Sequence, residues 1–189
     1  MTLFYLQKLT LALIFIFSFT NFVLAADINT GKTKAALCQG CHGIDGKSKS
    51  SQYPVLAGQR ATYIEAQLKA FKTGLRANSI MKGIATQLTD QDIKNVAAYF
   101  SSVSAESAGE DSAIAKKGQD KFSMCAGCHG AKAQGQGGFP RLAGQQAEYL
   151  KKQLLYFKNG SRKGGPMNSI TSSLSEQDIS EIAAYLESL

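Results

Sequence analysis

The sequence predicts an all-α protein built from two tandem copies of one small domain, and three observations predict it. The pentapeptide Cys38-Gln39-Gly40-Cys41-His42 returns once, as Cys125-Ala126-Gly127-Cys128-His129. Residues downstream repeat with it: Pro54 and Pro140, Tyr63 and Tyr149, Phe71 and Phe157, Met81 and Met167, and Tyr99 and Tyr185 all lie 86 positions apart, one fewer than the 87 between Cys38 and Cys125. Within each copy, apolar residues recur at helical spacing between glycines and capping residues. Self-similarity at this long period, present twice, marks a duplicated domain and not a solenoid array.

The chain opens with a short segment carrying one positive side chain, Lys8, before the apolar run Leu9 to Phe19. Val23-Leu24-Ala25 then offers the small residues of a signal-peptidase site, so residues 1–25 read as an export signal cut after Ala25. The run is shorter than the roughly 20 apolar residues a spanning helix needs, which leaves an uncleaved anchor as the weaker alternative. The first domain is expected over 26–104 and the second over 112–189. Between them, 105–111 is small and polar without apolar periodicity, and reads as a linker.

Each copy is expected to hold three main helices. The first, over Lys32 to Cys38 or Ile114 to Cys125, leads into the pentapeptide. Gly31 and Gly118 hold equivalent places near its start, where a missing side chain permits close approach of another helix. The second follows Gln59 or Gln145 and carries Tyr63, Gln67, Leu68 and Phe71, matched by Tyr149, Gln153, Leu154 and Phe157, up to Gly74 or Gly160. The third opens at Thr89-Asp-Gln-Asp92 or Ser175-Glu-Gln-Asp178, both capping-box signatures. Its apolar stripe Ile93, Val96, Ala97, Phe100 repeats as Ile179, Ile182, Ala183, Leu186 and reads as core.

The two pentapeptides hold all four cysteines and both histidines of the chain. Two cysteines at this spacing, with a histidine directly after the second, can bond the vinyl groups of a haem as thioethers while the imidazole ligates the iron. A redox dithiol does not need the histidine, and a zinc site pooling both copies suits a reducing compartment better than an exported chain. Two covalently bound c-type haems are therefore expected, at Cys38, Cys41 and His42 and at Cys125, Cys128 and His129. A domain of about 80 residues has little apolar core of its own, and a haem supplies the missing centre.

With both imidazoles on the proximal side, bis-histidine ligation is excluded, leaving Met, Lys, Tyr, Cys or an open position for the other face of each iron. Met81 and Met167 stand 39 and 38 residues after their motif histidines, in a loop long enough to pass round the haem edge. They are the expected sixth ligands, so the iron ligands are His42, Met81, His129 and Met167. The bland reading of each methionine is core packing alone. Met124 precedes the second motif directly and stays on the proximal side. A soft, neutral thioether favours ferrous iron, and burial disfavours the charge that oxidation adds, so both raise the reduction potential. Six fixed ligands leave no place for a small-molecule substrate, which describes an electron carrier and not an enzyme, with no catalytic residue.

The formal charge of +7 is unevenly spread. Residues 26–104 carry 10 basic and 5 acidic side chains, against 10 and 9 over 105–189. The more basic first half can steer docking to an acidic surface or simply form a solvated face. No basic stripe interleaves with aromatics, so nucleic acid is not expected as a partner.

With both Cys-x-x-Cys-His motifs, both Pro-x-Leu-Ala-Gly-Gln segments (Pro54 to Gln59, Pro140 to Gln145) and both methionines in place, the chain resembles the cytochrome c4 family over its whole mature length. That family consists of exported dihaem proteins built from two tandem class I cytochrome c domains, a pseudo-twofold pair with haem edges near the interface. The resemblance implies that Pro54 and Pro140 offer their carbonyls to the proximal imidazoles. It also implies a periplasmic place in a respiratory chain, with a membrane-bound quinol-oxidising complex as donor, a terminal oxidase as acceptor and room for peripheral membrane association. Competing readings are a dihaem subunit of a flavocytochrome-type dehydrogenase, or a dihaem enzyme such as a peroxidase or thiosulfate dehydrogenase. Arg141, opposite Val55, reads either as a propionate partner or as an exposed loop residue; Tyr53 and Phe139 read either as haem-edge covers or as core filling.

Overall fold

A computed structural model describes residues 25–109 and 112–189. The expected export signal falls outside the described residues except for Ala25, as do Glu110 and Asp111 of the linker. Among the described residues there are eight α-helices and no β-strand, only an isolated bridge between Gln136 and Phe139. The first domain contains α1 (Ile28–His42), α2 (Ala61–Thr73), α3 (Ser79–Ala85) and α4 (Asp90–Ser102). The second repeats them as α5 (Ala113–His129), α6 (Ala147–Lys158), α7 (Pro166–Ser172) and α8 (Glu176–Ser188). No helix among the described residues is long and apolar enough to cross a membrane.

The first helix of each domain crosses the last, and a glycine decides how closely. A β-carbon on Gly31 would lie 2.0 Å from the Asn95 carbonyl oxygen, and one on Gly118 would lie 2.0 Å from that of Glu181. Any side chain there has to push the two backbones apart, because carbonyls of a packed helix cannot turn aside. The expectation of close packing at both glycines therefore holds. The last helices start with reciprocal capping boxes, Thr89 with Asp92 and Ser175 with Asp178, as the sequence pattern predicts. Their stripes bury Ile93, Val96, Ala97 and Phe100 in one core, and Ile179, Ile182, Ala183 and Leu186 in the other.

The structure differs from the sequence reading in two places. The first helices run longer at both ends, from an Asp27 or Ser112 cap through the whole Cys-x-x-Cys-His motif. They stop where Gly43 and Gly130 take positive φ (76° and 84°), a conformation that glycine adopts without strain. The methionine segments, read as loop, each contain a two-turn helix. Asn78 caps α3 by accepting from the Met81 amide at 2.9 Å, and Pro166 opens α7 with the fixed φ suited to a first turn.

The two domains differ electrostatically at this helix pair. Lys121 on α5 reaches both Asp178 and Glu181 on α8, whereas Lys34 pairs with Asp92 at 3.2 Å, and Asn95 stands at the position that Glu181 holds in domain 2. Hydrogen bonds from Lys121 hold both carboxyls below their ordinary values of 3.8 and 4.5, with the Ser175 cap adding to the effect at Asp178. A carboxyl depressed in the folded state stabilises the fold above the unfolded value, and that contribution drains away as pH falls toward the folded one. Acidification below about pH 4 is expected to lower the thermal midpoint of domain 2 more in the native chain than in Lys121→Met. Melting curves at pH 7 and pH 3 check this; equal acid losses in both proteins would reject it. Lys121 and Asp178 are partly exposed while Glu181 is buried, so added salt weakens the Asp178 pair more than the Glu181 pair.

Candidate functional site

The two histidines end α1 and α5 and are buried, His42 at 7% and His129 at 5% exposure. Nδ1 of His42 lies 3.0 Å from the Pro54 carbonyl oxygen, and Nδ1 of His129 lies 3.0 Å from that of Pro140. A carbonyl can only accept, so Nδ1 carries the proton and Nε2 presents its lone pair away from it. Burial pulls both imidazoles below their ordinary value, partly offset by the proline carbonyls, which favours the neutral form that ligates metal. The carbonyl role that the family resemblance implied for Pro54 and Pro140 is thus present. Tyr53 and Phe139 stand edge-on to the histidine rings, each with ring centres 6.1 Å apart. Both aromatics therefore belong to the histidine surroundings.

Cys38 and Cys125 are half-buried against their domain cores, whereas Cys41 and Cys128 are exposed, and all four are free. Burial, with the neighbouring cysteine adding to it, pushes the Cys38 thiol up to about 11 and the Cys125 thiol in the same direction. These are poor thiolates, unlike the activated cysteine of a redox dithiol. Among the described residues no group of three or more His, Cys, Asp or Glu side chains could hold a bare metal ion, so the two motifs do not pool into a zinc site. Met81 on α3 is half-buried and packs against the same core as Cys38, and Met167 on α7 is half-buried in the equivalent place.

These residues fit a haem. Each domain offers two free thiols, one of them exposed, beside a neutral imidazole whose outward nitrogen is unprotonated. In domain 2 the Nε of Arg141 is buried without a hydrogen-bond partner, and loss of solvent lowers the pKa of its guanidinium. An orphaned buried donor suits the carboxylates that a haem carries. The reading of Arg141 as an exposed loop residue is thereby corrected, because its Nε is buried and its backbone is held by Gln59 of the other domain.

That interface holds residues that sequence reasoning passed over. Arg76 donates through Nη1 to Gln67 at 2.7 Å and through Nη2 to Tyr149 at 2.9 Å and Gln153 at 2.8 Å, the last two across the interface. Arg162 answers with Gln153 at 2.7 Å, Tyr63 at 2.9 Å and Gln67 at 2.9 Å. Each guanidinium also stacks on its own domain's Phe71 or Phe157, at 4.6 and 4.5 Å. Residue i meets j while j meets i, the signature of a twofold contact built here within one chain. The available signal was a polar residue recurring at the 86-residue shift inside an otherwise apolar stripe. The linker packs closely against both domains: a β-carbon on Gly58 would strike Ala105 at 2.6 Å, and one on Gly144 the Glu106 carbonyl at 2.4 Å.

The family model for cytochrome c matches the chain twice, over residues 28–104 and 115–189. Cytochrome c4 of Pseudomonas aeruginosa is 36% identical to this chain, over 97% of it and all of the relative. A thiosulfate dehydrogenase electron acceptor of Stutzerimonas stutzeri is 34% identical, over 82% of this chain and 80% of that one. Among solved structures, reduced recombinant cytochrome c4 from Pseudomonas stutzeri superposes with a TM-score of 0.83 at 36% identity, covering 87% of this chain and all of that one.

Proposed function

Since this chain belongs to the cytochrome c4 family, as a dihaem electron-transfer cytochrome with two covalently bound c-type haems, we propose that it works as an exported carrier in the periplasm. It accepts electrons from a membrane-bound quinol-oxidising complex and delivers them to a terminal oxidase. Domain 1 extends over 26–104 and domain 2 over 112–189. Cys38 and Cys41 hold one haem by thioether bonds and Cys125 and Cys128 the other. His42 with Met81, and His129 with Met167, are the axial pairs. Bound haem supplies a one-electron iron centre. The chain's own part is to fix the ligands in place, so that little moves when the charge changes, and to keep water from the iron.

The observation that carries this reading is the pair of equivalent histidines, each buried and locked by a proline carbonyl at 3.0 Å, with a methionine-bearing helix in both domains. Two sites of one design suit a relay, whereas an enzyme of this kind needs one site with an exchangeable ligand. A second donor follows from the 34% identity to a thiosulfate dehydrogenase electron acceptor: electrons taken from a sulfur-oxidising enzyme. That reading keeps the carrier role and changes the partner.

The holoprotein, reduced and exposed to carbon monoxide, is expected to show no spectral change at either site. A site that binds carbon monoxide readily would reject six-coordinate ligation there, and with it the carrier reading. Comparing reduction rates with quinol-oxidising membranes and with a thiosulfate dehydrogenase then separates the two donors.

A further inference from the structure

The glutamines that end the two Pro-x-Leu-Ala-Gly-Gln segments are 6% exposed and reach across the interface. Gln145 of domain 2 accepts from the Val55 amide at 2.8 Å and donates to the Val55 carbonyl at 2.9 Å. Gln59 of domain 1 does the same to Arg141, accepting at 2.8 Å and donating at 2.9 Å. Val55 and Arg141 directly follow Pro54 and Pro140. The N–H that each glutamine receives therefore belongs to the same peptide unit as the carbonyl that receives the histidine proton. The result is a chain of bonds through one rigid, planar peptide: His42 Nδ1–H to the Pro54 carbonyl, and the Val55 N–H to Gln145 in the other domain. The mirror chain runs from His129 through the Pro140–Arg141 peptide to Gln59.

We propose that Gln145 and Gln59 are crossed positioning residues, each holding and polarising the proline peptide that orients the other domain's axial histidine, so that each site is tuned from across the interface. The proposal rests on His42 and His129 being the axial ligands. The physical reason is cooperativity. An acceptor on a peptide N–H shifts electron density toward that peptide's oxygen, which then draws the imidazole proton more strongly. A more strongly held proton makes the ring a better donor to metal and favours the ferric state. Each amide oxygen is also fixed by its own domain, Gln59 by the Arg60 amide at 2.9 Å and Gln145 by the Gln146 amide at 3.1 Å, at the starts of α2 and α6. The clamp is thus anchored to a helix in one domain and acts on the loop of the other. Neighbouring Gln146, equally buried, donates to the Ser48 carbonyl at 2.8 Å and so crosses the interface without touching a proline peptide.

The test compares Gln145→Met, Gln59→Met and Gln146→Met in the holoprotein, by site-resolved reduction potentials and by proton NMR of the histidine Nδ1–H. Gln145→Met is expected to raise the potential of the His42 site, move its Nδ1–H resonance and speed its exchange with solvent, with the His129 site unmoved. Gln59→Met should give the mirror image, and it carries the test should Gln145→Met fail to fold. Gln146→Met loosens the same interface and should shift neither site. An own-site shift, equal shifts at both sites, or a Gln146→Met shift matching that of Gln145→Met would overturn the relay. Failure of the ligand assignment shows instead in the wild-type spectrum, as histidine resonances without the displacement that iron ligation causes, and it overturns the proposal before any variant is made.

Discussion

A chain with Cys38, Cys41, Cys125 and Cys128 all replaced by serine is expected to lose most of its helical circular dichroism at 25 °C, where the holoprotein keeps it. The protein atoms alone form thin cores. Eleven residues make up the buried cluster of domain 1 and ten that of domain 2, and three and four of these are alanine, which adds little apolar area. The three longer helices of each domain run to 12–17 residues, a length marginal in water without packing. Apolar side chains close to the motif, such as Phe139 at 45% exposure beside the His129 ring, are left without protein cover. Against the conformational entropy of about 80 residues per domain, such cores leave no reserve. Serine removes the thioether anchors at almost no change in volume, so the loss reports the cofactor's contribution and not a packing defect. Retained helix signal with a cooperative melt would show that the protein cores suffice.

Features carried by local chemistry were legible in the sequence. Thr89 with Asp92 and Ser175 with Asp178 announce helix starts because a cap needs only residues three apart. Gly31 and Gly118 could be read as close approaches because the repeat kept both. The two-turn helices around Met81 and Met167 were not legible: seven residues hold too few apolar positions to show a period, and their starts depend on single residues, Asn78 and Pro166. The interface was hidden for a different reason. Gln59, Gln145, Arg76 and Arg162 bond partners 73 to 99 positions away, and nothing local distinguishes a glutamine facing another domain from one facing water. The duplication also conceals divergence. Tyr99 donates to Asp45 in domain 1, and burial with that partner pushes its phenol up to about 12; Lys132 stands at the matching place in domain 2, so Tyr185 has no such acceptor there. Repeats therefore disclose the sites and leave their differences to the structure.

Met81→Leu and Met167→Leu, made singly, are each expected to abolish the sulfur-to-iron absorption band of one ferric site while leaving the thermal midpoint nearly unchanged. Leucine and methionine have similar volumes, and swaps between them in packed sites cost less than about 1.5 kcal/mol. If Met81 served only to pack against the domain 1 core, where it lies half-buried, leucine would replace it and the spectrum would stay as it was. If its sulfur is the sixth ligand, leucine keeps the fold and cannot ligate. Loss of a soft, neutral donor also withdraws the preference for ferrous iron, so the potential of that site should fall by more than about 59 mV, tenfold in the equilibrium of a one-electron couple. The vacated position should then admit carbon monoxide at the altered site alone. Because α3 is held by the Asn78 cap and α7 by Pro166, neither start depends on the methionine side chain, and the short helices survive the change. Band, potential and carbon monoxide reactivity all unaltered in Met81→Leu would reject Met81 as a ligand, and the same triad in Met167→Leu decides the second site independently.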